Sequence, residues 1–348
     1  MAGTRPAVTE RAGPPLPSGH IPGTGIAPPR RPRLLLADRV KGETDSFLAP
    51  LIPGLQRRYD TRFISAAPDE RLTEAIAWAD IVWLEWCWDH AVWASRSGLL
   101  AGKPAIIRLH SIEALQTDFP ARIEWSAIER LVLVADDTRD ILLDRFPNLA
   151  TAVRMQTIPN GIDLRRFVPG TPDRFRIAWV GHLEPKKNPM LLPQIAHRLR
   201  QADRRYTIDV AGAFTDLRTA RYLERQIGLL GLGDTIRFHG PVAAMPEWYA
   251  DKGVLLSTSM YESFGMNIGE AMAVGAFPVV HAFPGAESLW PGECLFSAID
   301  EAVALIRSAR PHLYRDWITE RYGLDRQMEA VLRLLAEIAR PGPGACPA

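Results

Sequence analysis

The sequence predicts an α/β protein built as two doubly wound halves that face each other across a cleft. Three observations predict this fold class. Short apolar runs recur along the chain, helical patterns separate them, and a turn-rich passage divides the series near its middle. Near-continuous apolar strands that alternate with helices are typical of parallel sheets with both faces covered.

The first half contains five strand-like runs with helical segments between them. Asp69 and Asp137 open two of these helical segments, which extend to Trp78 and Arg145. The predicted strands lie at 34–37, 61–64, 80–84, 104–109 and 131–135.

The passage 158–172 is rich in turn residues and is typical of a connection between domains. The alternation then starts again, and it ends in an amphipathic helix over 325–339. Other helices are predicted at 193–201, 217–230 and 269–274, and strands at 175–180, 206–210, 235–238, 254–257 and 278–280. In two such sheets, ligands bind beyond the carboxyl ends of the strands.

The chain of 348 residues is long enough for two domains with separate cores. We predict a leader over 1–32, a first domain over 33–165, a second over 166–323 and a final helix over 324–340. The leader has eight Pro and five Gly and few large apolar side chains, so we expect it to be disordered. Its basic end at 30–33 is expected to be a solvated linker, and the alternative is a weak contact with an anionic membrane surface.

Composition excludes several classes of protein. The formal charge of +1, from 41 basic and 40 acidic residues, does not favour nucleic acid as a partner. Cys87, Cys294 and Cys346 lack the spacing of a zinc site or a disulfide framework and fit a reducing compartment. With no apolar run long enough for a bilayer and no apolar signal segment, we expect a cytoplasmic protein, with contact at the inner membrane face as the alternative.

Glu262 and Glu270 provide the most informative local pattern. They flank a loop of small residues that leads from the apolar run 253–258 into a helix ending near Gly275. The free amides at such a helix start suit a phosphate, and eight helical residues span roughly 12 Å. Two acids with amides between them would therefore suit a nucleotide-sugar. The alternative is two solvated surface glutamates favoured by the helix dipole.

Two further loops carry candidate chemistry. Gly181 permits a sharp exit from a strand, and Lys186 and Lys187 follow it just before a helix that we expect to be capped near Asn188, which suits a diphosphate. The alternative is a solvated lysine pair. His110 stands at the end of a buried strand, where it is either functional or a hydrogen-bonded structural residue.

These segments together resemble glycosyltransferase family 4, the retaining enzymes of the GT-B fold. The resemblance extends over about residues 34–339 and is strongest over 158–287. The matching segments follow in the family's order: the interdomain signature at 158–167, the donor-phosphate loop at 179–187, 238–240 with Tyr249, the E-x7-E motif within 259–270, and the Gly-x-x-Glu stretch at 284–287.

The resemblance implies a role for each matching residue. Glu270 would bind the ribose hydroxyls of the donor, Glu262 the transferred sugar and Lys187 the diphosphate. His110 would bind the donor sugar or assist near the reacting centre. The other donor-binding residues it implies are Gly181, His182, Lys186, Phe264, Gly265, Met266, Asn267 and Glu287. It further implies that the first domain binds the acceptor, that the last helix packs back on it, and that no metal or additional cofactor is needed.

Two positions depart from the family pattern. The family usually has arginine where this chain has His182, and arginine alone is permanently charged and grips two phosphate oxygens. Many members also carry paired glycines after the first strand, where this chain offers only Gly42 for the acceptor side. Trp86 and Trp88 are further candidates for the acceptor, since aromatic faces stack on sugar rings. The alternative is that these tryptophans fill the core around a strand end.

We therefore predict a metal-independent retaining glycosyltransferase of the hexosyltransferase type, acting in polysaccharide or glycoconjugate biosynthesis. Its donor would be a UDP- or GDP-type sugar, and its acceptor a saccharide or another glycan or lipid-linked molecule. One alternative is an inactive GT-B protein that acts as a binding partner or nucleotide-sugar sensor. Another is a GT-B nucleotide-sugar epimerase.

Overall fold

The computed structural model of the chain describes residues 30–339. Residues 1–29 of the leader predicted over 1–32 lie outside this range, as do Cys346 and the end of the last predicted helix at residue 340. Residues 30–32 are described, and the Pro32 carbonyl accepts a hydrogen bond from the Asp60 N–H (2.9 Å). Within the described residues no helix combines the length and the apolarity needed to cross a membrane.

Two six-stranded sheets form the framework, and all their strand pairs are parallel. The first sheet has the order β2-β1-β3-β4-β5-β6 and the second β12-β11-β10-β7-β8-β9. The prediction of two parallel sheets is therefore confirmed. The strands are β1 (Arg33–Asp38), β2 (Asp60–Ser65), β3 (Ile81–Glu85), β4 (Ala105–Leu109), β5 (Arg130–Leu133), β6 (Met155–Thr157), β7 (Asp173–Val180), β8 (Thr207–Ala211), β9 (Ile236–Gly240), β10 (Lys252–Ser257), β11 (Phe277–His281) and β12 (Leu295–Phe296).

Helices connect the strands on both sides of each sheet. They are α1 (Ile52–Leu55), α2 (Glu70–Trp78), α3 (Asp89–Arg96), α4 (Ser111–Gln116), α5 (Phe119–Arg122), α6 (Asp136–Arg145), α7 (Leu149–Ala152), α8 (Leu191–Ala202), α9 (Leu217–Leu229), α10 (Met245–Tyr249), α11 (Met266–Val274), α12 (Ala286–Leu289), α13 (Ile299–Ser308), α14 (Arg315–Tyr322) and α15 (Leu324–Ile338). Short 3₁₀ turns lie at Glu43–Asp45, Ala49–Leu51, Trp125–Ala127, Pro185–Lys187 and Gly292–Cys294.

Each sheet reverses its winding direction at one place, between β1 and β3 in the first and between β7 and β10 in the second. The connections on either side of such a point leave in opposite directions, so a crevice opens beyond the carboxyl ends of the strands. Because the strands are parallel, the loops that leave these four strands lie at the same edge of their sheets.

Separate apolar cores support the two sheets. The second sheet has one large core that extends from Ile162 to Tyr322 and also includes Ala135 of the first half. The first sheet has one core on each face, and helix α15 contributes to one of them: Val331 and Leu334 pack with Leu34 and Leu36 of β1. The final helix thus contacts the first sheet although it follows the second in sequence.

Most predicted strands and helices occur close to their expected bounds. The sequence did not indicate β6 or β12, which are only three and two residues long. The expected helix cap at Asn188 is wrong. Asn188 has a left-handed backbone (φ 47°) at the end of a 3₁₀ turn, and α8 begins only at Leu191.

Candidate functional site

A cavity of about 690 Å³ lies where the loops of the two sheets face each other. Both sheets contribute to it, and the loops involved include those that follow β1, β3, β7 and β10. Its lining residues are Arg39, Val40, Phe47, Trp86, Trp88, His110, Ser111, Ile112, Asn160, Val180, Gly181, Lys186, Lys187, Glu262, Ser263, Phe264, Gly265, Met266, Asn267 and Glu270. The cavity is therefore the candidate functional site.

The loop between β10 and α11 turns sharply at Gly265, whose backbone is left-handed (φ 87°). Glycine adopts this conformation at little cost, and the turn starts α11 at Met266. The first amides of a helix have no partner within it, and here they belong to residues that line the cavity. Asn267 fixes this helix end against the second sheet by donating its side-chain N–H to the Val180 carbonyl (2.9 Å). The result is a rigid group of amide donors at the cavity wall.

Glu262 lies beneath this loop and is almost fully buried. Its Oε1 accepts hydrogen bonds from the Lys187 ammonium and from the Ser259 hydroxyl (2.7 Å). Lys186 lies 3.8 Å from the other carboxylate oxygen. Two lysines therefore meet one carboxylate, which leaves a net positive charge beside the amides of α11.

Glu270 lies in α11, about one helical turn after its first residue, Met266, and is only partly buried. No hydrogen-bond donor of residues 30–339 reaches its carboxylate, whereas Glu262 has several partners. Burial raises the pKa of Glu270 to about 7, and the nearby charge of Arg166 opposes this shift. A partly buried carboxylate at a cavity wall without a protein donor is suited to accept hydrogen bonds from a ligand.

His110 forms part of the opposite wall, at the end of β4. Its Nε2 lies 2.8 Å from Oε1 of the fully buried Glu85, and its backbone N–H donates to Glu113 (3.3 Å). Burial lowers the pKa of His110, while the hydrogen bond to Glu85 opposes the change. The contact with Glu85 thus orients the ring, while Glu113 holds the backbone of His110.

Aromatic rings surround His110 on this wall. Trp86 stacks on it with ring centres 4.0 Å apart, and Phe47 lies 5.2 Å away. Trp86 has a left-handed backbone (φ 72°), which is uncommon for a bulky side chain and costs about 1–3 kcal/mol. Trp88 lies further out, against Phe119 (5.4 Å). Both predicted tryptophans therefore line the cavity and are not part of the closed core.

Hydrogen bonds join the two halves at the edge of the cavity. Ser263 Oγ accepts from the backbone N–H of Ser111 (3.0 Å) and also bonds its hydroxyl. The Tyr261 hydroxyl donates to Asp137 Oδ2 at 2.7 Å. The loop between β10 and α11 thus contacts α4 and α6 of the first half directly.

Three predicted residues do not line this cavity. His182 and Glu287 are exposed, and Gly42 precedes a 3₁₀ turn after β1. The other predicted site residues are brought together in it. The structure adds lining residues that were not predicted individually: Arg39, Val40, Phe47, Ser111, Ile112, Asn160, Val180 and Ser263.

Comparison with solved structures identifies the fold. The Anabaena protein Alr3699/HepE, solved in complex with UDP, aligns with a TM-score of 0.71 at 16% identity, over 88% of this chain and 100% of that one. The chain has the GT-B fold. A glycosyltransferase from Rickettsia africae also aligns, with a TM-score of 0.67 at 14% identity, over 90% of this chain and 100% of its own.

Sequence comparison agrees for the second half of the GT-B chain. Residues 162–290 match the family described as glycosyl transferases group 1, a range that includes Lys187, Glu262 and Glu270. The D-inositol 3-phosphate glycosyltransferase of Geodermatophilus obscurus is 34% identical over 176 residues, which are 45% of this chain and 38% of that protein. A second D-inositol 3-phosphate glycosyltransferase, from Catenulispora acidiphila, is 32% identical over 178 residues, 46% of this chain and 41% of its own length. The match thus spans about two fifths of these curated relatives.

Proposed function

We propose that this protein is a retaining glycosyltransferase that moves a sugar from a nucleotide-diphosphate donor to an acceptor bound against the first half. The observation that carries the proposal is the arrangement along one wall of the cavity. A carboxylate without a protein donor, helix amides and a lysine–glutamate pair follow one another there, in the order in which a donor has ribose, diphosphate and sugar.

Each part of the donor would meet a suitable partner. Glu270 would accept hydrogen bonds from the ribose hydroxyls, and the amides of Met266 and Asn267 would bind the diphosphate. The Lys187 ammonium contacts Glu262. When a donor enters, the phosphates would draw Lys187 toward themselves, which leaves Glu262 free to accept a hydrogen bond from the transferred sugar.

The same groups would assist the reaction. As the bond between sugar and phosphate breaks, negative charge grows on the leaving diphosphate. The α11 amides, Lys186 and Lys187 would already be aimed at that charge, and preorganised donors of this kind lower barriers by several kcal/mol. The acceptor would attack from the face on which the diphosphate leaves, which retains the anomeric configuration. The mechanism uses these cationic groups and needs no metal ion.

We propose UDP as the nucleotide, because the structural neighbour HepE was solved with UDP. The acceptor is proposed to be a saccharide or another glycan or lipid-linked molecule with one face on Trp86 and Trp88. Aromatic residues provide broad, flat contact area for such rings. A cytoplasmic location, with weak peripheral contact at the membrane, remains part of the proposal.

A thermal-shift screen against UDP, GDP, ADP, TDP and CMP, without and then with magnesium, tests the donor site. A nucleotide at about 100 times its dissociation constant should stabilise the protein by about 2.7 kcal/mol. We expect UDP to act without magnesium and Glu270→Ala to abolish the effect. Glu320→Ala, an exposed glutamate of α14 away from the cavity, is the matched control and should keep it.

Turnover separates the proposed enzyme from its alternatives. Release of UDP from a UDP-sugar in the presence of an acceptor supports transfer, and the anomeric configuration of the product tests retention. A UDP shift without any turnover would favour an inactive sensor, and isomerisation of the donor sugar would favour an epimerase. No shift with any nucleotide would refute the donor site itself.

A further inference from the structure

A buried charged network lies behind the aromatic wall of the cavity, centred on Glu85 at the end of β3. The Glu85 side chain has no exposed area. Its Oε2 accepts a hydrogen bond from Trp83 Nε1 (3.0 Å), and its Oε1 contacts Arg108 Nη1 (3.1 Å) and His110 Nε2 (2.8 Å). Trp83 belongs to β3, Arg108 belongs to β4, and His110 directly follows β4.

Glu85 remains ionised within this network. Burial alone would raise the pKa of its carboxyl group, but the Arg108 guanidinium and His110 outweigh that effect and lower it. Arg108 is itself almost fully buried and also bonds Asn160. A buried carboxylate that accepts charge-assisted hydrogen bonds from several donors is held both in position and in charge state.

An ionised carboxylate can only accept hydrogen bonds, so His110 must carry a proton on Nε2. A carboxylate that accepts a hydrogen bond from one ring nitrogen fixes the tautomer of an imidazole, as in many functional histidines. Among residues 30–339, Glu85 is the one side chain that forms a hydrogen bond with the His110 ring, through Nε2, and the ring lines the cavity. Burial favours the neutral ring, which leaves a lone pair on Nδ1.

We propose that Glu85 is a positioning residue: it locks His110 as the neutral Nε2–H tautomer, so that Nδ1 accepts a hydrogen bond from a hydroxyl group of the sugar substrate. The inference rests on the proposed glycosyl transfer for the identity of that ligand. The tautomer itself follows from the network and holds without it. Glu85, Arg108 and Glu113 are the titratable groups nearest the ring, and burial raises the pKa of Glu113 to about 8, so that it is mostly protonated at neutral pH. Lys186, Lys187, Glu262 and Glu270 line the same cavity from the second half, and Glu270 titrates equally in the wild type and in variants of Glu85.

Because Nδ1 would accept a hydrogen bond, the proposal predicts which substrate analogues lose activity. A hydroxyl can donate to Nδ1, whereas neither a hydrogen atom nor a fluorine atom in its place can do so. Deoxy and fluoro analogues of the sugar hydroxyl concerned should therefore lose activity to a similar extent. A protonated His110 would instead donate, and it would tolerate fluorine better than hydrogen at that position.

Nitrogen NMR of the purified full-length protein tests the tautomer without any activity assay. With ¹⁵N-labelled histidine rings, and His110→Asn to assign the signal, we expect a protonated Nε2 and an unprotonated Nδ1 at pH 7. A proton on Nδ1, in either the other tautomer or the imidazolium, would overturn the proposal. The tautomer is measured in the wild-type protein, and a variant is needed only to assign the signal; if His110→Asn does not fold, His110→Gln replaces it.

The pH profile of Glu85→Gln tests the positioning role. Wild-type kcat/KM should fall on the acid side as Nδ1 gains a proton. The variant should lose at least about tenfold in kcat/KM, keep its UDP-induced stabilisation, and show its acid limb at lower pH, because the charge that favours the imidazolium is gone. Glu74→Gln, an exposed glutamate of α2, is the matched control and should match the wild type.

A merely structural role would give a different result. It would lower the rate equally at all pH values, or reduce UDP binding together with the free energy of unfolding. If Glu85→Gln does not fold, Glu85→Asp keeps the charge with a shorter side chain, and the shift of the His110 ring signals reports the same loss of contact. Failure of the proposed function would appear separately, as wild-type protein that neither binds UDP nor turns over a UDP-sugar.

Discussion

Glu270 and Glu262 lie on the same short segment, but they differ in their hydrogen-bond partners within the protein. Glu262 accepts hydrogen bonds from Lys187 and Ser259. Burial raises the pKa of Glu270 to about 7, so both of its protonation states are populated near neutral pH. Since this value exceeds the usual 4.5, the carboxylate of Glu270 lowers the free energy of unfolding as the pH rises from about 4.5 to 7. Ligand hydroxyls would relieve that cost.

Nucleotide binding should therefore depend on pH through Glu270. Raising the pH from 6 to 8 converts Glu270 to the carboxylate, the stronger acceptor for ribose hydroxyls, and should increase UDP affinity by about three- to tenfold. Isothermal titration calorimetry at both pH values measures the change. Glu270→Gln is the control, because it retains any titration of UDP and of the lysines. An equal pH dependence in the variant would contradict this role of Glu270.

Patterns among neighbouring residues in the sequence predicted part of this site. The rest depends on contacts between residues that are far apart in sequence. The spacing of Glu262 and Glu270, and the lysines after β7, can be read from neighbouring residues. Glu85 and His110 are 25 positions apart, and Ser111 and Ser263 are 152 apart. Such partners are set by which strands are neighbours and by how the two halves meet, and no local pattern in the chain encodes either.

At the scale of elements, the site depends on the close backbone contact between the loops that follow β7 and β8. The Gly181 N–H donates to the Ala211 carbonyl (3.0 Å), and Gly212 continues with a φ of 145°. A Cβ atom on Gly212 would lie 1.8 Å from the Gly181 carbonyl oxygen. The strand exit at Gly181 was predicted from sequence, but its contact with the loop after β8 depends on β7 and β8 being paired. Backbone contact between Gly181 and the loop after β8 therefore supports the loop that carries Lys186 and Lys187.

Gly212→Ala should displace this loop and weaken the site. The added methyl group meets backbone that cannot yield, and the backbone conformation is unfavourable for alanine. We expect the free energy of unfolding to fall by about 2–4 kcal/mol and UDP affinity to fall with it. Denaturant unfolding and calorimetry measure both quantities. The matched control is Gly228→Ala in α9, where the space is open and alanine should stabilise the helix by up to about 1 kcal/mol.

At the scale of the molecule, the chain crosses between the halves twice. Residues after β6 lead to the second sheet, and α15 returns to the first. The Ile162 N–H donates to the Tyr322 carbonyl (2.7 Å), and the Leu324 N–H donates to the Ile162 carbonyl (2.9 Å), so the two crossings pair with each other. The domain bounds proposed at 165, 166 and 323 fall close to this pairing and remain a proposal.

Because α15 completes a core of the first sheet, a change in it should be felt by the whole described structure. Leu334 is 1% exposed and packs in the core that contains β1 residues. Leu334→Ala should lower the free energy of unfolding by about 2–5 kcal/mol, as expected for a buried leucine. Arg333→Ala, next to it on the solvent face and in an exposed ion pair with Glu329, should change it by less than about 1 kcal/mol. Urea unfolding followed by tryptophan fluorescence measures both variants, since tryptophans lie in both halves. Equal stability of the two variants would show that α15 is not needed by the first sheet, and truncation after Gly323 would then leave the protein as stable as before.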